Sequence, residues 1–221
     1  MKTKILLTCG AIAGPLFVTT LLIEGVTKAN YNPWRHPGSS LALGDFGWVQ
    51  DLNFIVGGLL LLAFAIGLRL LLRPLRGSIW GPLLIGYWAI GLIGAGIFVT
   101  DPVNGFPPGT PDQVLHPTLH GSLHDLLSVP GFIALIGACF VFSRWFAKRG
   151  ERRWAIYSTL SGVVFVVAFG LATMAFSQVE SLVNFGGLFQ RIAVIAGLSW
   201  LTMLAIFFLR ALSKTRRQAS A

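Results

Sequence analysis

The stretch Leu52–Leu72, LNFIVGGLLLLAFAIGLRLLL, is apolar from end to end with Arg69 as its single charge, and Arg73, Pro74 and Arg76 follow at once. A helix needs about 20 such residues to cross a hydrocarbon layer of about 30 Å, and lipid leaves no partner for backbone groups outside a helix or a closed barrel. The stretch therefore reads as a transmembrane helix that ends in a basic loop. Five more runs of this kind occur, near Ile5–Ile23, Trp80–Val99, Leu126–Phe146, Trp154–Phe176 and Leu188–Leu209. The composition agrees: 54% of the residues are hydrophobic and 11% charged, with a mean hydropathy of +0.73, where a soluble domain carries about 25% charged residues. The expected fold is all-α, a polytopic membrane protein of six transmembrane helices. These form one domain over residues 1–221, with no length left for a soluble one.

The first run is longer than the apolar core of a signal peptide, about 7–15 residues, and has no small-residue cleavage site before Glu24, so it reads as a retained span. Basic residues mark the cytoplasmic side of short loops. Lys2 and Lys4, then Arg69, Arg73 and Arg76, then Arg144, Lys148, Arg149, Arg152 and Arg153, then Arg210, Lys214, Arg216 and Arg217 all fall on one side, with Glu151 as the only acid among them. The other side holds Lys28, Arg35 and Arg191 with Glu24, Asp45, Asp51, Asp101, Asp112, Asp125 and Glu180. Both termini are thus expected in the cytoplasm, in a cell (inner or cytoplasmic) membrane. The net charge of +9 belongs to this topology and to anionic headgroups rather than to nucleic acid. Cys9 and Cys139 sit inside apolar runs and read as small hydrophobes.

The external connections carry the unusual residues, which is where binding groups concentrate. Glu24 to Gln50, EGVTKANYNPWRHPGSSLALGDFGWVQ, is broken by Pro33, Pro37 and several glycines. Its Tyr31, Trp34, Phe46 and Trp48 are expected at the headgroup level. The second connection contains Asp101-Pro102 and Pro107-Pro108, so the third helix cannot continue through it. Small residues four apart, such as Gly10 and Gly14 or Gly91 and Ala95, let helix backbones approach within the chain.

The segment Leu115–Phe132, LHPTLHGSLHDLLSVPGF, gathers three of the 4 histidines. Pro117 suits a first helical turn, so the fourth helix is predicted to begin at His116 or Pro117 and to reach Arg144. His116, His120, His124 and Ser128 would then advance along one drifting face. Pro130 invites a kink near Leu126, which would open space beside His124 and Ser128. His120 and His124 have the spacing of a metal-binding pair, at about 2.0–2.1 Å per nitrogen. A third ligand must come from elsewhere, with Asp101, Asp125, Asp51 and Glu180 on the same side, or a carboxylate orients a histidine from behind. Arg191 stands on the outer side against the positive-inside trend. It calls for an anionic partner, or else snorkels to headgroups.

Several segments resemble a bacterial family of six-pass membrane proteins, Domain of Unknown Function 998: YNPWRHPGSSLALGDFGWVQDLNFIVGGLLLLAFAIGL from Tyr31, GIFVTDP from Gly96, LHGSLHDLLS from Leu119 and LFQRIAVIAGLSW from Leu188. The most specific elements are Asp101-Pro102, His120-Gly121-x-x-His124 and Gln190-Arg191. The resemblance implies a six-helix integral membrane fold and brings no activity with it. A looser similarity exists to membrane metal-dependent amide hydrolases, from which this chain departs in span number and in the placement of the polar residues.

Two functional readings follow. In one, His120 and His124 hold zinc with Asp101, while Asp125 and Ser128 assist attack of a metal-bound water on a lipid-like amide or ester. In the other, the outer polar cluster, with His116, Gln190 and Arg191, binds a small polar or lipid-like ligand, or serves transport or membrane assembly, without catalysis. Membrane lipids are the expected partners, and oligomeric state is not encoded legibly. Haem is not expected, because His36 is the only other histidine and lies in a loop.

Overall fold

The computed structural model describes the backbone of residues 2–73 and 79–219, and the side chains of those residues up to Ser213. Arg76 and the side chains of Lys214, Arg216 and Arg217, which entered the topology argument, lie outside the described residues.

Six long helices are present: α1 (Lys2–Thr27), α2 (Trp48–Leu72), α3 (Trp80–Ile97), α4 (Leu119–Ala147), α5 (Arg152–Phe176) and α6 (Gly186–Ala219), with short 3-10 turns at Gly38–Ala42 and Val183–Phe185. No strand occurs among the described residues, and each helix is long and apolar enough to cross a membrane. The chain is a six-span, all-helical membrane protein. The predicted spans correspond one for one to these helices.

Each helix packs on its neighbour in the chain, and α1 also packs on α6, so the six close into a ring. Successive helices that each cross the membrane alternate in direction. Arg69, Arg144, Arg152 and Arg210 therefore lie at one end of the ring, with Lys2 and Lys4. The loops after α1, α3 and α5 lie at the other. Leu59, Ile66, Ile90, Ile133 and Ile156 are exposed on the outside, the apolar surface that lipid requires.

The interior differs along the bundle axis. In the basic half it is filled by aromatic rings: Phe142, Phe146 and Trp200 are completely buried, and Phe142 meets Trp200 and Phe208 edge-on. Trp200 donates its ring N–H to Ser158 Oγ at 3.0 Å, so this plug carries no orphaned donor at that ring. The other half is hollow.

Glycine is needed at the seam that closes the ring. A Cβ on Gly14 of α1 would overlap Thr202 Oγ1 and lie 2.8 Å from the Leu198 carbonyl oxygen of α6. The small residues of α1 thus serve packing within the chain, as the sequence suggested. α4 is continuous through Pro130 and its 29 residues reach about 43 Å at 1.5 Å per residue, longer than the hydrocarbon layer.

Candidate functional site

Asp101 fixes where α4 begins. Its Oδ2 accepts from the Thr118 backbone N–H at 2.9 Å and its Oδ1 from the Thr118 hydroxyl at 2.7 Å. Thr118 is the N-cap, and its Oγ1 in turn accepts from the Gly121 N–H at 3.0 Å. This satisfies donors at the helix end that would otherwise be orphaned. Gly121 has no alternative here, since a Cβ would overlap the Asp101 carboxylate. The Asp101-Pro102 and His120-Gly121 elements are thus two halves of one clamp.

The clamp corrects the predicted start of α4. The helix begins at Leu119, because Thr118 rather than His116 or Pro117 supplies the cap. His116 is exposed in the preceding loop and shares no helical face with His120 and His124. His120 is exposed too, with its ring edge against Phe98 at 5.7 Å. His124 is buried, and its Nδ1 lies 2.8 Å from the Phe98 carbonyl oxygen. A carbonyl only accepts, so Nδ1 carries the proton, and in the neutral ring Nε2 presents its lone pair. Among the described residues no three histidine, cysteine, aspartate or glutamate side chains come together as a metal site. Asp101 already gives both its oxygens to Thr118.

Arg191 does not snorkel, and its partners within the chain are not acids. It is buried, and its Nη1 donates to the carbonyls of Pro33 (2.7 Å), His36 (3.2 Å) and Gly187 (3.1 Å). Its Nη2 donates to the Tyr31 hydroxyl at 2.6 Å. These partners are neutral. The residue neither snorkels nor meets an acid, because the first loop folds inward and wraps the guanidinium in carbonyl oxygens. The same loop covers the start of α6, where the N–H groups of Gly187 and Leu188 donate to the Arg35 and Trp34 carbonyls. Gln190 completes the lock by accepting from the Gly38 N–H at 2.7 Å.

Tyr31 is buried against His36 and Phe106, while Trp34, Phe46 and Trp48 are exposed. Burial raises its phenol pKa above the usual value, with Arg191 opposing. His36 accepts the Asn32 N–H on Nδ1 at 2.9 Å. Burial, then the neighbouring Arg35, lowers its pKa, against an upward pull from the Asn104 backbone. Arg35 ties the three loops at this end, pairing with Asp112 at 2.7 Å and donating to the Asn104 carbonyl and to Asn184.

Beneath these loops lies a cavity of about 400 Å³, within the range of about 300–1,000 Å³ for small-molecule sites. All six helices contribute to it. Its walls are largely apolar, with Phe17, Phe54, Trp88, Leu92, Phe132 and Val194, and its polar members include His124, Asp125, Ser128, Gln50, Gln190 and Arg191. The exposed residues of the lining are Val114, Pro117, Asp125, Val129, Thr173 and Ser177. All lie on or beside α4 and α5. The mouth therefore opens sideways between those helices, where a membrane-spanning bundle meets lipid.

The site brings together His124, Asp125, Ser128, Asp101, Gln190 and Arg191 on one cavity, and leaves His116 and His120 outside its lining. Gln50 was missed by sequence reasoning. It is completely buried in the first turn of α2, and its Oε1 accepts from Asn53 Nδ2 at 3.2 Å. The available signal was the spacing of Gln50, Asn53 and Gly57, one inward face at the head of an otherwise apolar helix.

A family model described as Protein of unknown function (DUF998) matches residues 11–206. The chain belongs to the DUF998 family. The matched region takes in every cavity wall, the clamp on α4 and the loop that encloses Arg191, so these features lie within the family's own span of this DUF998 protein. Neither the curated proteins nor the solved structures yield a match.

Proposed function

We propose that this DUF998 protein binds an amphipathic, lipid-like small molecule, which enters from the surrounding leaflet through the mouth between α4 and α5. The observation that carries this reading is the hollow half of the bundle, apolar along its walls, polar at its loop end and open sideways. A cavity of that character suits a ligand with an apolar body and a polar end. In this reading the basic loops face the cytoplasm, as their charge requires, and the cavity serves the outer leaflet.

A hydrolytic version of the same site uses what His124 presents. With Nδ1 held by the Phe98 carbonyl, a neutral His124 would offer Nε2 as a base, and it lines the cavity with Asp125 and Ser128, so a base and a hydroxyl would share a wall with a bound amide or ester. Zinc content decides whether a metal takes part. One zinc per chain, lost in a His120→Ala, His124→Ala double variant, would support metal-assisted hydrolysis. Zinc absent from both would remove the metal and leave binding.

Binding itself is tested with a brominated single-chain alcohol in lipid nanodiscs. Of the 7 tryptophans, Trp88 lines the cavity, so the difference in quenching between the wild type and Trp88→Phe isolates the site. Saturable quenching of that component, abolished by Ala172→Phe on the cavity wall, is expected. A Trp88 component that rises only linearly with probe would sink the proposal.

A further inference from the structure

Gln50 and Arg191 face the same cavity, from α2 and α6, and each holds a buried side-chain N–H without a hydrogen-bond partner: Nε2 of Gln50 and Nε of Arg191. Both residues are more than nine-tenths buried. Both orphans are donors. The other two nitrogens of Arg191 donate to neutral oxygens, of the first loop and of Gly187. Among the described residues Arg35 and Asp112 form the one ion pair, and no carboxylate lies within ion-pair distance of Arg191. The guanidinium, which cannot lose its proton, is therefore a buried charge that the protein solvates but does not neutralise.

Such a charge is costly unless something pairs with it. A water molecule would accept either N–H but would leave the charge as it is. An oxyanion does both at once, and a charge-assisted bond from guanidinium to carboxylate or phosphate is among the stronger ones available. The acids on the lining do not compete for this place. Asp101 is committed to Thr118, and Asp125 is exposed at the mouth.

We infer that the ligand is a single-chain anionic amphiphile, whose oxyanion head accepts hydrogen bonds from Arg191 Nε and Gln50 Nε2 while its chain lies along Phe54, Trp88 and Val194. The inference rests on the cavity reading above and adds the charge and orientation of the ligand. It makes Arg191 and Gln50 specificity determinants, the first supplying charge and the second a directed donor.

The experiment compares two brominated probes of equal chain length in nanodiscs of neutral lipid, an alkyl phosphate and the alcohol, read by Trp88 quenching. The phosphate is expected to bind at least tenfold more tightly to the wild type. Gln50→Leu, which leaves the lock on the first loop intact, should reduce that ratio severalfold. Arg191→Gln should abolish it, with its folded state checked by melting temperature. If the Arg191 variant fails to fold, the Gln50 variant alone decides. Equal binding of both probes would overturn the inference and leave the cavity reading standing, whereas absence of Trp88 quenching by either would remove the cavity reading itself. A preference for phosphate unchanged in Gln50→Leu would also overturn it. Inorganic phosphate should displace the alkyl phosphate only at far higher concentration, and displacement at equal concentration would assign the site to a free ion instead.

Discussion

A carboxylate at the edge of a helix bundle in lipid must be bonded, hydrated or neutralised, and Asp101 takes the first course. Its two oxygens hold one residue, Thr118, and the space left beside it admits only glycine at position 121. Gly121→Ala should therefore destabilise the protein by about 1–3 kcal/mol, the range for forcing a methyl group into filled space. In an Asp101→Ala background the same change should cost much less. A double-mutant cycle in detergent, read by thermal or denaturant unfolding, checks this coupling, and simple additivity would show that the clamp is not cooperative. His36 gives a second test at this scale. Its folded-state pKa lies below the ordinary 6.5, so the unfolded chain takes up a proton first as pH falls. Its contribution to stability is then complete above about pH 6.5 and declines below it. Melting temperature should fall from pH 7.5 toward 5.5, and less steeply in His36→Gln.

Among the elements, the first loop and α6 form one unit. The Tyr31 hydroxyl receives Arg191 Nη2 and stands 2.8 Å from the Pro37 carbonyl oxygen, so Tyr31→Phe removes a bond to a charged donor, worth about 1.5–3 kcal/mol. Hydrogen exchange should quicken at the start of α6 and in residues 31–38, while α3 keeps its protection. Hydropathy made the six spans legible because lipid imposes a single constraint over about 20 residues. The charge trend also exposed Arg191 as out of place, while Asp101 and Gln190 stood out through the family resemblance. What their side chains touch was not legible. Arg191 finds three of its partners 155–160 residues earlier in the chain, two of them carbonyl groups that any sequence would carry. His116 was drawn into α4 by Pro117 and by periodicity, because nothing local announced that Asp101 would make Thr118 the cap. Gln50 was hidden by its place at the loop boundary, where a polar residue ordinarily meets water.

At the scale of the molecule, the ring depends on close approach of α1 and α6. Gly14→Ala should lower the melting temperature by several degrees, since its Cβ meets α6 backbone. Gly170→Ala on α5, where nothing lies within 4 Å, should leave it unchanged or raise it slightly through helix propensity. The sideways mouth gives a kinetic counterpart. Val129→Trp at its rim should slow the onset of Trp88 quenching by a brominated amphiphile, measured by stopped flow against a Trp88→Phe control in the same background, without altering the fold.

The enclosure of Arg191 also orders events during synthesis. The carbonyl groups that solvate this cation are made with the first loop, yet the cation itself arrives with the last helix. Until α6 is in place, residues 31–38 lack the cation they close around, and α1 has no neighbour on its second side. A chain that ends before α6 is therefore expected to leave its first loop unfastened, since the last helix supplies the side chain that fastens it.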